Sequence, residues 1–198
     1  MNPDPHADLL VATIAETIAL HEAVSRSAAQ PVAAAAAAIV AALGRGGTLL
    51  VFGNGGSAGD AAHVAAELVG RFERRRRALA AVALTADTSV LTAIGNDDGF
   101  ERVFARQVEA LGRPGDVALG ITTSGASPNV VSALETAKAR GLQTIALTGR
   151  DGGRAGAVAD IHVNVPARST PRAQEVHRTL LHVICDLVER AFADERDA

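Results

Sequence analysis

Tryptophan and tyrosine are absent from this 198-residue sequence, and five phenylalanines are its only aromatic side chains besides histidine. So little stacking surface argues against a protein that reads single-stranded nucleic acid. A single cysteine, Cys185, excludes an internal disulfide framework and fits a reducing compartment. No apolar run approaches the roughly 20 residues that a bilayer crossing requires. The opening MNPDPHADLL lacks a basic region followed by an apolar stretch, so no signal peptide is expected. The expectation is a cytoplasmic protein with neither a membrane nor a nucleic acid as partner. Charge agrees: 19 Lys and Arg against 22 Asp and Glu give a net charge of −3, with no broad basic footprint. Basic density occurs once, at Arg74-Arg75-Arg76-Arg77, which reads as a solvated helix end or turn.

What is present is apolar and glycine-rich, with 48% hydrophobic residues and 19 glycines. A chain of this length can bury about 70% of its unfolded surface and form one domain without a disulfide or metal staple. Residues 1–45 read as helices. Leu10, Ile14, Thr17, Ile18, His21 and Val24 recur at three- and four-residue spacing, and an alanine run follows Pro31. Such a surface predicts an internal helix or an oligomer seam. From residue 46 the pattern changes to short apolar runs alternating with helical ones. Strands are predicted at 48–52, 81–84, 117–121, 144–147 and 161–165. Helices are predicted near 58–72, 100–111, 128–140, 153–159 and 172–192. Continuous apolar strands separated by helices imply a parallel sheet covered on both faces, an α/β three-layer sandwich with an N-terminal helical extension. Residues 1–198 are therefore expected to form a single domain.

In such folds ligands bind beyond the carboxyl ends of the strands. The loops there are GNGGSAGD (53–60), TADTS (85–89), TTSGASPN (122–129) and TGRDGG (148–153). GRPGD (112–116), at the opposite end, looks like a plain turn. Thr122, Thr123, Ser124 and Ser127, with Gly125 and a helix starting near Pro128, offer hydroxyl donors and a helix N-terminus without any lysine. That suits a phosphate monoester. GNGGSAGD has its glycines at 53, 55, 56 and 59, so it is neither the dinucleotide fingerprint nor a P-loop. Ser57 is expected to cap the helix after it.

His63 and Glu67 stand four apart, on one helical face. Gln174 and His182 stand eight apart on the last helix, about 80° apart around its axis. Together they could offer imidazole, carboxylate and amide donors to zinc or another divalent ion. Spacing alone leaves His177 and His182 as alternatives. His6, His21 and His162 read as structural or surface residues.

These blocks, together with LTAIGNDDGF, FARQVEALGRPGD and QEVHRTLLHVICDLVE, closely resemble the phosphoheptose isomerases of the sugar-isomerase (SIS) domain superfamily, over about residues 46–192. The resemblance implies a five-stranded parallel sheet of the flavodoxin-like SIS type and a homotetramer with sites at subunit contacts. It implies an aldose–ketose isomerase converting sedoheptulose 7-phosphate to D-glycero-D-manno-heptose 7-phosphate through an enediol, the first step of ADP/GDP-heptose biosynthesis. It implies zinc held by His63, Glu67, Gln174 and His182, with Glu67 and His182 as the proton-transfer pair. Substrate contacts are implied at Asn54, Gly55, Gly56, Ser57, Glu67, Asn96, Asp97, Thr122, Thr123, Ser124, Ser127 and Gln174. The sequence departs from relatives at Ala126, Asp98 and Ser169, where an amide, an aromatic and an Asp are common. A second reading is a non-catalytic tetramer of the same fold that associates with a replication initiator. Those relatives lack a complete Glu/His pair, so His63, Glu67, Gln174 and His182 together favour the enzyme.

Overall fold

The computed structural model describes residues 5–193; residues 1–4, at the end where no leader is expected, lie outside the described residues, as do residues 194–198. Five strands form one sheet: β1 (Leu49–Gly53), β2 (Ala81–Ala83), β3 (Val117–Thr122), β4 (Gln143–Gly149) and β5 (Ile161–Val165). Their order is β2-β1-β3-β4-β5 and every neighbouring pair is parallel. Side chains alternate across the sheet. Leu49 and Val51 join Val117 and Leu119 in one apolar layer, and Leu50 and Phe52 join Ala118 in the other. Helices α1 (Pro5–Ser27), α2 (Ala29–Gly44), α3 (Gly56–Val69) and α8 (Thr170–Phe192) build the first layer. Helices α4 (Thr88–Asp97), α5 (Ala105–Leu111), α6 (Pro128–Ala139) and α7 (Gly153–Val158) build the second. The α/β sandwich expected from the sequence is the observed architecture.

The alanine run works by being small. Ala35 and Ala36 are buried with Ile39 in α2, which lies close against α8. Helix α1 is tied to α8 from Thr13 onward: Arg172 Nη1 donates to Thr13 O at 3.4 Å, Thr17 Oγ1 donates to Glu175 Oε2 at 2.5 Å, and His21 Nε2 meets Thr179 Oγ1 at 2.9 Å. Leu10, Ile14 and Ile18 of the same helix nevertheless remain 60%, 50% and 53% exposed. No single helix among the described residues is long and apolar enough to cross a membrane. Only α1 and α2 together meet that composition, and they bend by 68°.

Several expectations change, among them the helix expected near 100–111, which is a 3-10 turn (Phe100–Arg102) followed by α5. Residues 88–97, for which the sequence predicts no helix, form α4. Asp87 starts it, its carboxylate accepting the Ser89 and Val90 amides at 2.9 and 3.0 Å. Helix α3 begins at Gly56, with Gly55 (φ 56°) in the capping position, so Ser57 lies inside the first turn and caps nothing. The arginine run is a turn after α3 with Arg75 and Arg77 exposed, but it is not merely solvated. Arg74 Nη1 pairs with Asp186 Oδ1 at 2.5 Å, Arg76 is buried against Glu189, and Arg77 lies 4.9 Å from the Phe192 ring centroid. The partners all lie on α8, more than a hundred residues away, and are invisible to local sequence.

GRPGD is the plain turn expected, at the amino end of β3. Buried Asp116 closes it, accepting Thr48 N at 2.8 Å and Arg113 N at 2.9 Å. Asp116→Ala leaves two amides unpaired. It is expected to lower stability in urea unfolding by about 1–3 kcal/mol while kcat stays at the parent value, because the turn lies at the end of the sheet away from the ligand-bearing loops.

Candidate active site

Strands β1 and β3 are sheet neighbours, yet α3 leaves β1 towards one face and α6 leaves β3 towards the other. This divergence opens a crevice at the carboxyl ends of the strands. Across it Asn54 and Asn129 exchange amides, Nδ2 to Oδ1 at 2.9 Å in each direction. Asn129 Oδ1 also accepts Val130 N at 2.9 Å. The two loops are thereby fixed relative to each other.

On the β3 side, Thr122 Oγ1 lies 3.2 Å from Ser124 Oγ and 2.9 Å from Ser127 Oγ, and Ser124 Oγ accepts Ala126 N at 3.2 Å. Ser127 occupies the N-cap position of α6, but its hydroxyl bonds Thr122 and does not cap the helix. Hydroxyls thus cluster at the amino end of α6, the arrangement expected for an anion. The loop is seated by backbone contact. Gly125 (φ 69°) abuts Gly152 and Gly153 so closely that a Cβ would overlap the Gly152 carbonyl, and Ala155 N donates to Gly125 O at 2.8 Å. Thr123 turns its carbonyl to Gly149, where a Cβ would likewise clash. Arg150, Asp151 and Arg168 border a cavity of about 470 Å³ next to Ser124.

On the β1 side, His63 and His182 meet with Nε2 atoms 2.8 Å apart, and Glu67 Oε1 lies 3.4 Å from the same His63 nitrogen. Gln174 lies over Gly56, whose missing Cβ leaves the space that its amide fills. Burial, then the charge of Arg178, holds the His63 pKa below its usual range, outweighing Glu67, which keeps the ring neutral and able to donate a lone pair. Among the described residues no three His, Cys, Asp or Glu side chains converge in the geometry of a completed metal cage. The donor set itself fits a zinc-like ion, since two imidazoles, a carboxylate and an amide are nitrogen and oxygen ligands of the right kind.

Other sequence-derived sites are placed less centrally. Asn96 and Asp97 are exposed at the end of α4 and bond each other, Nδ2 to Oδ1 at 2.7 Å, rather than reaching the histidines. Gly55 is exposed at the rim, whereas Ser57 is buried, its side chain packed against Gly53. Asp98 ends α4 and pairs with Arg106, and Ser169 begins α8.

Sequence reading missed Asp60 and Arg178, which form an ion pair at 2.7 Å beside the histidines. Burial pushes the Asp60 carboxyl up, against the pull of Arg178. Their spacing was a usable signal: Asp60 stands three residues before His63, and Arg178 four before His182, each on the shared helical face. Phe72, 5.5 Å from the His182 ring, and buried Cys185 were also missed as neighbours. Burial pushes the Cys185 thiol up to about 12, with Glu67 and Glu189 adding to the shift.

Residues 14–149 match the SIS domain family. The phosphoheptose isomerase of Geotalea daltonii is 54% identical over 175 residues, covering 88% of this chain and 91% of that protein. The chain belongs to the phosphoheptose isomerases. The phosphoheptose isomerase of Geobacter metallireducens is 58% identical over 171 residues, covering 86% of this chain and 90% of its own. The solved phosphoheptose isomerase of Neisseria gonorrhoeae superposes with a TM-score of 0.88 at 46% identity, over 93% of this chain and 98% of that one. This chain is accordingly an isomerase, and the regulator reading gains no support from these similarities.

Burial separates the two histidines that spacing leaves as alternatives. His177 is packed into the core, Nε2 donating to Thr148 O at 2.9 Å with Nδ1 unpartnered. Burial pushes its imidazole down to about 4, the Thr148 bond opposing only in part. Unfolding restores an ordinary value near 6.5, so between those limits the unfolded chain binds the extra proton and stability falls as pH falls. The loss amounts to about 3 kcal/mol at most. His177→Gln is expected to flatten the dependence of urea unfolding on pH between about 6.5 and 4, with kcat at about pH 8 close to the parent value.

Proposed function

We propose that this phosphoheptose isomerase interconverts sedoheptulose 7-phosphate and D-glycero-D-manno-heptose 7-phosphate, with Glu67 and His182 moving the protons. The observation that carries this reading is the approach of His63, Glu67 and His182 beside the hydroxyl-lined crevice. Isomerisation removes a proton from C1 of the ketose, places a double bond between C1 and C2, and returns a proton to C2. Over the same steps the O1 proton is lost and O2 gains one. Glu67 takes the C1 proton as general base, and His182 relays protons at the two oxygens or C2. Thr122, Ser124 and Ser127, with the amino end of α6, hold the phosphate at the far end of the sugar and so fix which carbons meet Glu67. Asn54 and Gln174 orient the sugar hydroxyls between these ends.

His63, Glu67, Gln174 and His182 would hold a zinc-like ion, which when bound supplies Lewis-acid polarisation of the carbonyl and enediolate oxygens. Metal content is a direct check: His63→Ala should release the ion, as measured by atomic emission, while circular dichroism stays unchanged.

A homotetramer is part of the same reading. It is supported by exposed Leu10, Ile14 and Ile18 and by an apolar groove of about 470 Å³ between α1, α2 and α8, lined by Val24, Val32, Leu180 and Leu187 among others. Residues 1–198 act here as one domain in the cytoplasm, in keeping with a single thiol that is buried.

Glu67→Gln preserves shape but not basicity, so kcat is expected to fall at least ~100-fold with KM little changed. His182→Gln should fall similarly and also weaken metal retention. Turnover of either variant near the parent rate, in an NMR assay with sedoheptulose 7-phosphate, would remove the assignment. Ser124→Ala is expected instead to raise KM, by an amount corresponding to about 1.5–3 kcal/mol for one charge-assisted hydrogen bond, with kcat nearly kept. A chain lacking residues 1–45 is expected to lose both its assembly by light scattering and its activity.

A further inference from the structure

The third arginine of the 74–77 run lies directly behind the proton-transfer groups. Arg76 and Glu189 face each other with both side chains fully buried, Nε 3.4 Å from Oε1. Arg76 Nε makes no hydrogen bond, so this contact is ionic. Glu189 Oε1 accepts Phe72 N at 2.9 Å, and Oε2 accepts Glu73 N and Arg74 N at 2.7 Å each. One carboxylate therefore shapes the whole turn after α3. Burial alone would push this carboxyl up; the three amides and Arg76 outweigh it and hold it below the usual range.

Arg76 carries the same constraint back to α3. Its Nη2 donates to the Glu67 carbonyl at 2.7 Å and its Nη1 to the Gly70 carbonyl at 2.9 Å. These belong to the end of the helix, where carbonyls have no amide of their own helix to accept. At the other end of the device, the Phe72 ring sits 5.5 Å from the ring of His182, about two helical turns before Glu189 on α8. A buried ion pair is a poor source of net stability, because desolvation offsets most of its attraction. Its geometric effect is specific. It joins the backbone of the Glu67 turn to the helix that carries His182.

We propose that Arg76 and Glu189 are positioning residues for proton transfer, setting Glu67 from the backbone side and His182 through Phe72. The proposal rests on the reading of Glu67 and His182 as the proton-transfer pair. A shift of about 1 Å in such groups can cost about 100-fold in rate without touching substrate affinity.

The test uses the full-length, metal-loaded protein with sedoheptulose 7-phosphate, comparing Arg76→Met, Arg76→Lys, Glu189→Gln and the exposed control Arg75→Ala. Arg76→Met and Glu189→Gln are expected to lower kcat by about 10–100-fold with KM within about twofold. Arg76→Lys, which keeps the charge and can reach one carbonyl, should lose less, and Arg75→Ala nothing. Amide exchange at Phe72, Glu73 and Arg74 should accelerate in Glu189→Gln, a readout independent of turnover. Parent-like kcat per folded molecule in Arg76→Met and Glu189→Gln, or a KM that rises in step with the loss of kcat, overturns the proposal. Should Arg76→Met fail to fold, the same split is read from Arg76→Lys. Glu67→Gln and His182→Gln are assayed in parallel. If they are inactive while the Arg76 and Glu189 variants turn over normally, positioning alone is wrong. If they are active, the proton-transfer reading falls and takes the positioning with it.

Discussion

The divergence of the helices that leave β1 and β3 is the constraint from which the site follows. These two parallel neighbours send their helices to opposite faces, because each face of the sheet needs its own apolar cover. A gap is left between the loops. The reciprocal amide bonds of Asn54 and Asn129 span it, with Asn129 itself buried. Hydroxyls on one bank and imidazoles on the other are then held at a fixed separation.

The second organising element is α8. Within sixteen residues it presents Gln174 to the Gly56 turn, His177 to β4, Arg178 to Asp60, His182 to His63 and Glu189 to the turn after α3. At about 1.5 Å per residue these side chains are distributed over roughly 22 Å of one rigid rod. Most of what faces α8 here comes from α3 or its flanking turns. That pair of helices carries the imidazoles and carboxylates, while β3 and α6 carry the hydroxyls. Groups suited to an anion and groups suited to a proton are therefore set by different elements, joined through the sheet.

Strand positions, the three layers and the loops at the carboxyl ends of the strands were legible because each depends on local pattern: continuous apolar runs, glycine-rich turns and hydroxyl clusters. His63 with Glu67 was legible from four-residue spacing. What escaped was set by contacts far apart in sequence. The arginine run looks like a surface feature until Asp186, Glu189 and Phe192 are brought to it across more than a hundred residues. His177 and His182 cannot be separated by spacing, because the difference is which one the sheet covers. Asn129 belongs to a recognisable motif, but its partner is 75 residues away. Helix α4 is a different kind of miss: the Asp87 cap was in plain view, and the loop reading of TADTS concealed it.

Cys185 carries a consequence of its own. The chain has one thiol, and it is covered to 1% exposure between the His182 turn of α8 and the Arg76–Glu189 pair. With its pKa pushed up to about 12, almost none of it is thiolate at neutral pH, and thiolate is the form that reacts with oxidants and alkylating agents. Burial and the raised pKa both slow the reaction of the folded protein with such reagents. Once the cover over this part of α8 opens, the thiol returns to an ordinary acidity and becomes reactive. The rate of thiol labelling in this protein is consequently a clock for the uncovering of α8.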